Sequence, residues 1–398
     1  MNGAAARGVL LAGIALALSA GPVAAQQRAP GLAPTPDSVE GGLWGASDAA
    51  ERGARSSAER NTDPALNAYV KEVACTVAPE YCGEVRIYVM DRPVFNATAS
   101  PNGYIEVWSG LLLRAGSEAG VAFALGHEVG HYAENHSLEQ WRSTKGWATA
   151  AMVVTLGAGV AGAYYQVDLS GIGDLAYMTA ISSIFTYGRG QEEEADRLGL
   201  QRMRTAGYDP RAASELWESL RAERQVSSFP SVRRAEAWPG VFRTHPLTIE
   251  RIVALREQAG DDGGRLERDR YRSAIRPHLA RWLDDELNRR DFGSTLAVID
   301  RLDVDDQDAG VLNYYRGQAY RQRRDPGDDL RARDAYRLAV AHADAPAAAW
   351  RELGDLESRT GDAAAARTAW ARYLDAAPDA DDRWIVEDSL EHLAKDAR

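Results

Sequence analysis

The sequence predicts an α+β fold: a mostly helical domain with a small sheet, then an all-α solenoid of helix-turn-helix repeats. Three observations carry this. Strand-like runs, Val85 to Met90 and Tyr104 to Ser109, are confined to one early stretch. Around them apolar residues recur at helical spacing. Beyond Gly260, Trp350, Leu353, Gly354, Ala366, Trp370, Tyr373 and Pro378 fall at the positions of a helical repeat of about 34 residues. A chain of 398 residues is long enough for two such domains, each with its own core.

The first 25 residues read as a cleaved signal peptide. Arg7 supplies the positive start, Gly8 to Ala20 the apolar run, and Val23-Ala24-Ala25 the cleavage site before Gln26. That run is too short to span a bilayer comfortably. Residues 26–60, rich in Gln, Pro, Gly, Ala and Ser, read as a flexible leader closing in a helix from Ala49. The only two cysteines, Cys75 and Cys82, lie close together, and in an exported protein they predict a disulfide. A net charge of −12 argues against a nucleic-acid binder or a polybasic membrane-surface protein.

Asp63-Pro64 starts a helix through Val77 in which Leu66, Tyr69, Val70 and Val73 share one face. Val85 to Met90 is a strand. Phe95 to Ala99 and Tyr104 to Ser109 form a hairpin about the turn Pro101-Asn102-Gly103. Ser117 then caps a helix that carries His127-Glu128-Val129-Gly130-His131. Residues four apart share a helix face, so His127 and His131 can hold one metal ion, with Glu128 beside it as general base.

Trp147 to Tyr165 carries no charge, and a second apolar stretch runs from Ile172 to Tyr187. The segment 147–187 is read either as helices covering the active-site side or dipping into a membrane surface, as a buried helical hairpin, or as a span. The next helix, from Gly190, opens with Glu192, Glu193, Glu194 and Asp196, of which Glu192 and Asp196 share a face. Asp209-Pro210 starts a helix through Arg224, and Thr244-His245-Pro246 leads into one ending near Gln258. Further on, the well-matched repeat is preceded by a looser copy at Gly317, Tyr320, Ala332, Tyr336 and Ala339, interrupted at Asp325-Pro326-Gly327. A weaker unit lies between Trp282 and Leu302. The pattern is that of tetratricopeptide repeats over residues 265–398, whose concave face binds peptide or a partner protein.

A catalytic zinc needs three protein ligands and one open position. A third histidine six residues after His131 is missing, since Ser137 stands there. His136 is one residue early and reads as structural or solvated. Glu192 fits as a ligand from a later helix, with Asp196 one turn on to hold a liganding imidazole.

These residues carry a resemblance. His127-Glu128-Val129-Gly130-His131, then Glu192 to Asp196, then Thr244-His245-Pro246 with Arg251, resemble the three motifs of the zinc metalloendopeptidases that include HtpX and the CAAX prenyl endopeptidases. The signal peptide and C-terminal repeats place the likeness in the branch of periplasmic β-barrel assembly-enhancing proteases. The resemblance implies a gluzincin-type peptidase domain over residues 61–259. It implies one Zn2+ per chain held by His127, His131 and Glu192, with Glu128 as the catalytic base. Arg251 is implied as an oxyanion donor over the metal. His245 either joins it there or occupies the open zinc position as a fourth ligand that keeps the enzyme latent. The implied work is cleavage of misfolded or stalled envelope proteins in the periplasm, with the repeats recruiting substrates or the outer-membrane assembly machinery. Segment 147–187 offers peripheral membrane contact. The alternative is a chaperone or adaptor in which the repeats dominate and proteolysis is latent.

Overall fold

The computed structural model describes residues 27–143, 187–234, 245, 248–261 and 263–396. The expected signal peptide, nearly all of segment 147–187, Thr244 and Pro246 lie outside the described residues. No helix among the described residues is long and apolar enough to cross a membrane.

The leader expectation is overturned for much of its length. Ser38 caps helix α1 (Val39–Ser56) by accepting a hydrogen bond from the Gly41 amide. Leu43, Ala50 and Ala54 are buried, and Glu51 pairs with Arg86 at 2.6 Å. Several glycines weaken the local helix propensity, so composition alone reads as a leader. Tertiary burial and the Glu51 ion pairs supply the stabilisation that local propensity lacks.

Helix α2 (Pro64–Val77) forms as expected, with the Asp63 carboxylate accepting from the Ala65 and Leu66 amides. The Cys75–Cys82 disulfide ties its last turn to the approach of strand β1 (Arg86–Met90). Strands β2 (Ala97–Ala99) and β3 (Tyr104–Trp108) form the expected hairpin, and β1 pairs parallel to β3 to give the order β1-β3-β2. Gly103 takes the turn at φ +80°, a conformation other residues rarely adopt. Strand β2 is left as an edge.

Helices α3 (Ser109–Arg114), α4 (Glu118–Ala133), α5 (His136–Ser143), α6 (Arg189–Thr205), α7 (Arg211–Val226), α8 (Pro230–Arg234) and α9 (Ile249–Ala259) follow. Every residue of α4 is buried, which matches a helix with little polar face. Small residues let α6 lie close along it. A Cβ on Gly126 would come within 3.2 Å of the Gly199 backbone, and one on Gly199 within 3.0 Å of the His127 amide nitrogen. Gly130 faces Ala195 in the same seam.

The C-terminal half comprises α10 (Arg268–Ile275), α11 (Leu279–Asn288), α12 (Phe292–Leu302), α13 (Ala309–Arg323), α14 (Asp328–Ala339), α15 (Ala348–Arg359), α16 (Ala363–Ala376) and α17 (Arg383–Asp396). The expected hairpins appear as α11/α12, α13/α14 and α15/α16. In the latter two a glycine meets an aromatic ring. A Cβ on Gly317 would lie 2.3 Å from the Tyr336 ring, and one on Gly354 the same distance from Trp370.

The boundary expected between residues 259 and 265 marks a change of sequence character but does not divide the core. One apolar cluster runs from Leu66 through Ile275, Trp282, Leu287 and Val298 to Leu312 and Ala319. Toward the C-terminus, separate clusters begin with α14, around Ala332, Tyr336 and Leu353, then Ala366, Trp370 and Val386. The first helices of the C-terminal half therefore share and complete the core of the preceding domain.

Candidate metal centre

Helix α4 presents His127 and His131 on one face, and the glycine seam brings the first turn of α6 beside them. His127 Nε2 and His131 Nε2 lie 3.0 Å apart. Glu192 Oε1 is 3.5 Å from His131 Nε2, and Glu192 Oε2 is 3.7 Å from His127 Nε2. His245 enters from a distant segment with its Nδ1 at 3.4 Å from His127 Nε2 and 2.9 Å from Glu192 Oε1. All four residues are buried, and one donor atom from each lies within 4.8 Å of the others.

This donor set fits zinc. Metal–nitrogen and metal–oxygen bonds of about 2.0–2.2 Å in a tetrahedron set donors about 3.3–3.6 Å apart. The contacts between donor atoms, 2.9 to 3.7 Å, bracket that edge. Neutral imidazoles whose lone pairs face one another cannot satisfy each other, whereas a cation satisfies them together. Three imidazoles and one carboxylate form a donor set typical of zinc.

The groups behind the donors are equally ordered. His127 Nδ1 lies 3.0 Å from Asp196 Oδ1, as expected for a carboxylate that orients a ligand. Arg251 departs from the expectation. The resemblance implies a guanidinium over the metal, but its Nε and Nη2 grip Asp196 at 2.7 and 2.8 Å, and its Nη1 reaches Glu192 at 2.6 Å. A buried cation beside two buried carboxylates is held by them, so Arg251 braces Glu192 and Asp196 from behind the donor cluster. Thr248 caps α9 by accepting from the Arg251 amide and so fixes where that side chain starts.

Glu128 is buried next to the cluster, and His245 Nε2 stands 3.6 Å from its Oε1. Burial is the largest influence on Glu128 and raises its carboxyl above the ordinary value, against the opposing pull of His245 and His127. The backbone of Ala99 on β2 hydrogen-bonds this carboxylate, linking the base to the sheet edge. Burial works against a charged His245, but Glu192 and Glu128 outweigh it and raise its pKa. Burial holds His131 well below its usual value, which favours the neutral form a ligand requires. A small pocket opens beside Glu128 and His127, with Phe95, Leu111, Ala124 and Trp217 as its apolar walls.

His136, read from the sequence as structural or solvated, is structural. It is 1% exposed and its Nδ1 lies 2.9 Å from His131 Nδ1. The missing signal is a reversal of the chain. Asn135 takes φ +54°, which ends α4 and turns α5 back over the last histidine. Asparagine tolerates that conformation better than most residues.

A model of peptidase family M48 matches residues 60–259, half of the chain. A beta-barrel assembly-enhancing protease of Yersinia pestis is 28% identical over 211 residues, covering 52% of this chain and 41% of the relative. The protein of that name from Escherichia coli K12 is 26% identical over the same shares. A mitochondrial metalloendopeptidase OMA1 of Schizosaccharomyces pombe is 32% identical over 173 residues, covering 43% of this chain and 45% of its own. The chain thus matches less than half the length of each of these relatives.

Proposed function

The chain belongs to peptidase family M48, a family of zinc-dependent metalloendopeptidases, and on that premise we propose that it cleaves misfolded or stalled envelope proteins in the periplasm. The observation that carries the catalytic part is the convergence of His127, His131, Glu192 and His245 beside a buried Glu128. His127, His131 and Glu192 would hold a zinc ion, which would supply Lewis acidity toward the peptide carbonyl and lower the pKa of water. Glu128 takes the proton from the attacking water and passes it to the departing amide nitrogen, a role its place beside the donor cluster suits. Asp196 and Arg251 hold His127 and Glu192 in place. The β2 edge, tied to Glu128 through Ala99, can accept a substrate backbone by strand addition, beside a small pocket with apolar walls. The relatives named beta-barrel assembly-enhancing protease support outer-membrane proteins as the substrate class. The tandem hairpins support recruitment of such substrates or of the assembly machinery.

A second reading, a chaperone or adaptor with latent proteolysis, is favoured by one observation. His245 Nδ1 stands where a fourth donor would, in the position a catalytic site leaves open. In this arrangement His245 is the latch, and its withdrawal opens the site.

Both readings are tested together by zinc content and by cleavage of an unfolded protein such as casein. Glu128→Gln is expected to keep stoichiometric zinc and lose cleavage by about 10²–10⁴-fold. Cleavage at the wild-type rate would end the assignment of the base. His245→Ala is expected to raise basal casein cleavage, and an unchanged or lower rate removes the latch.

A further inference from the structure

His131 and His127 are supported in different ways on their far sides. His127 leans on a carboxylate, Asp196, itself clamped by Arg251. His131 leans on another imidazole. We propose that His136 is a positioning residue of the metal centre, a neutral acceptor that fixes the ring and the tautomer of His131. The proposal rests on the zinc site described above and concerns a residue outside its donor set.

The chain of protons is forced by the geometry. A neutral imidazole that presents the Nε2 lone pair to a metal carries its hydrogen on Nδ1. His131 Nδ1–H therefore donates across 2.9 Å to His136 Nδ1, which must offer a lone pair. The hydrogen of His136 then sits on Nε2, directed at Glu194 Oε2 at 3.5 Å. No other tautomer of His136 serves, because two N–H groups would otherwise meet at 2.9 Å.

The rings are held in this arrangement from two more sides. Tyr187 stacks on His131 with centroids 3.8 Å apart and planes 15° from parallel. The Tyr187 hydroxyl lies 2.9 Å from that of Ser137, the neighbour of His136. Gln191 on α6 donates to the His136 carbonyl at 3.3 Å, tying the start of α5 to the helix that supplies Glu192. One face of His131 and its Nδ1 edge are thus held by residues that follow the motif, Tyr187 and His136. Groups that orient a ligand in this way typically contribute 10–100-fold in metal affinity.

The test measures the zinc dissociation constant of the full chain by competition with a chromophoric chelator. His136→Leu removes the acceptor and is expected to weaken zinc binding by about 10–100-fold. His136→Asn can place its amide oxygen near the Nδ1 position and is expected to stay within about 3-fold of wild type, since it keeps the acceptor. Cobalt-loaded protein should show the wild-type visible band in the Asn variant and a shifted band in the Leu variant. Leu binding zinc as tightly as wild type, or Asn as poorly as Leu, overturns the proposal. A measurement without variants stands beside these. Zinc-loaded wild type should show a slowly exchanging downfield proton on His131 Nδ1 in nitrogen-15-labelled protein, and its absence also overturns the proposal. If zinc binding instead survives the double variant His127→Ala/His131→Ala, it is the site assignment that fails.

Discussion

Two clusters of charge lie equally deep in this molecule and are satisfied in opposite ways. In one, Arg114 on α3 donates to Glu223 on α7 from Nε and Nη2 and to Glu286 on α11 from Nη1 and Nη2, at 2.7 to 3.0 Å. Arg289 adds a further bond to Glu286 at 2.8 Å. Both carboxylates there are paired with arginines, and three elements are joined across the peptidase and C-terminal halves. In the other, imidazole nitrogens and a carboxylate aim at one point, with two ring nitrogens 3.0 Å apart. The first cluster is closed to any ligand and holds the fold. The second leaves lone pairs that only a cation satisfies together, and that convergence is what marks it as the functional one.

Each half of this comparison can be broken. The largest effect is expected at the closed cluster. Arg114→Ala leaves two buried carboxylates without their partner and should cost about 3–5 kcal/mol in chemical denaturation. A loss under about 1 kcal/mol would mean that the cluster is not what joins the halves. At the open cluster, zinc should stabilise in proportion to its occupancy. Free zinc at 1,000 times its dissociation constant should add about 4 kcal/mol, visible as a higher Tm than in the chelated protein. Equal melting with and without chelator would show that the four donors do not hold a cation. Between the clusters lies the α4–α6 seam. Gly199→Ala presses a Cβ toward the His127 backbone and is expected to cost about 1–3 kcal/mol while also lowering zinc affinity. Stability lost with zinc affinity intact would uncouple the seam from the site. The smallest effect is one of pH. Burial pushes the Glu51 carboxyl up, but hydrogen bonds from Arg86, Tyr88 and Arg55 win and lower it from 4.5 to about 2. A depressed carboxyl stabilises above the unfolded value, and that stability is lost as pH falls from about 4.5 toward 2. Glu51→Gln should flatten the acid limb of a stability–pH curve over that window, and an unchanged slope would remove α1 from the acid response.

Legibility in the sequence followed the range of the interactions. The helix bearing His127 and His131 and the hairpin about Gly103 rest on local spacing and turn chemistry, and they were read from the residues alone. Glu192 and Asp196 were found because helical periodicity puts them on one face. Helix α1 was read only from Ala49 onward, because its stability comes from Ala50, Ala54 and Glu51 meeting the sheet at Tyr104 and Arg86. Arg251 was found but misdirected, since nothing in its neighbours tells that Asp196 and Glu192 will claim it from below. His136 was set aside on spacing, because a left-handed Asn135 reverses the chain and spacing along a helix no longer applies.

By itself, then, the sequence determined which groups are available for chemistry: two imidazoles and a base on one helix, a carboxylate pair on another, a histidine far downstream. These follow from side-chain identity and a helical period, which act over a few residues. The tertiary structure decided the rest: that His245 closes on the other donors, that Arg251 lies behind them, that His136 backs His131, and that helices beyond residue 260 complete the peptidase core. Those outcomes depend on close approach of distant backbones through Gly126, Gly130 and Gly199 and on pairing of buried charges. The free energies of such contacts are set only when the whole chain has packed.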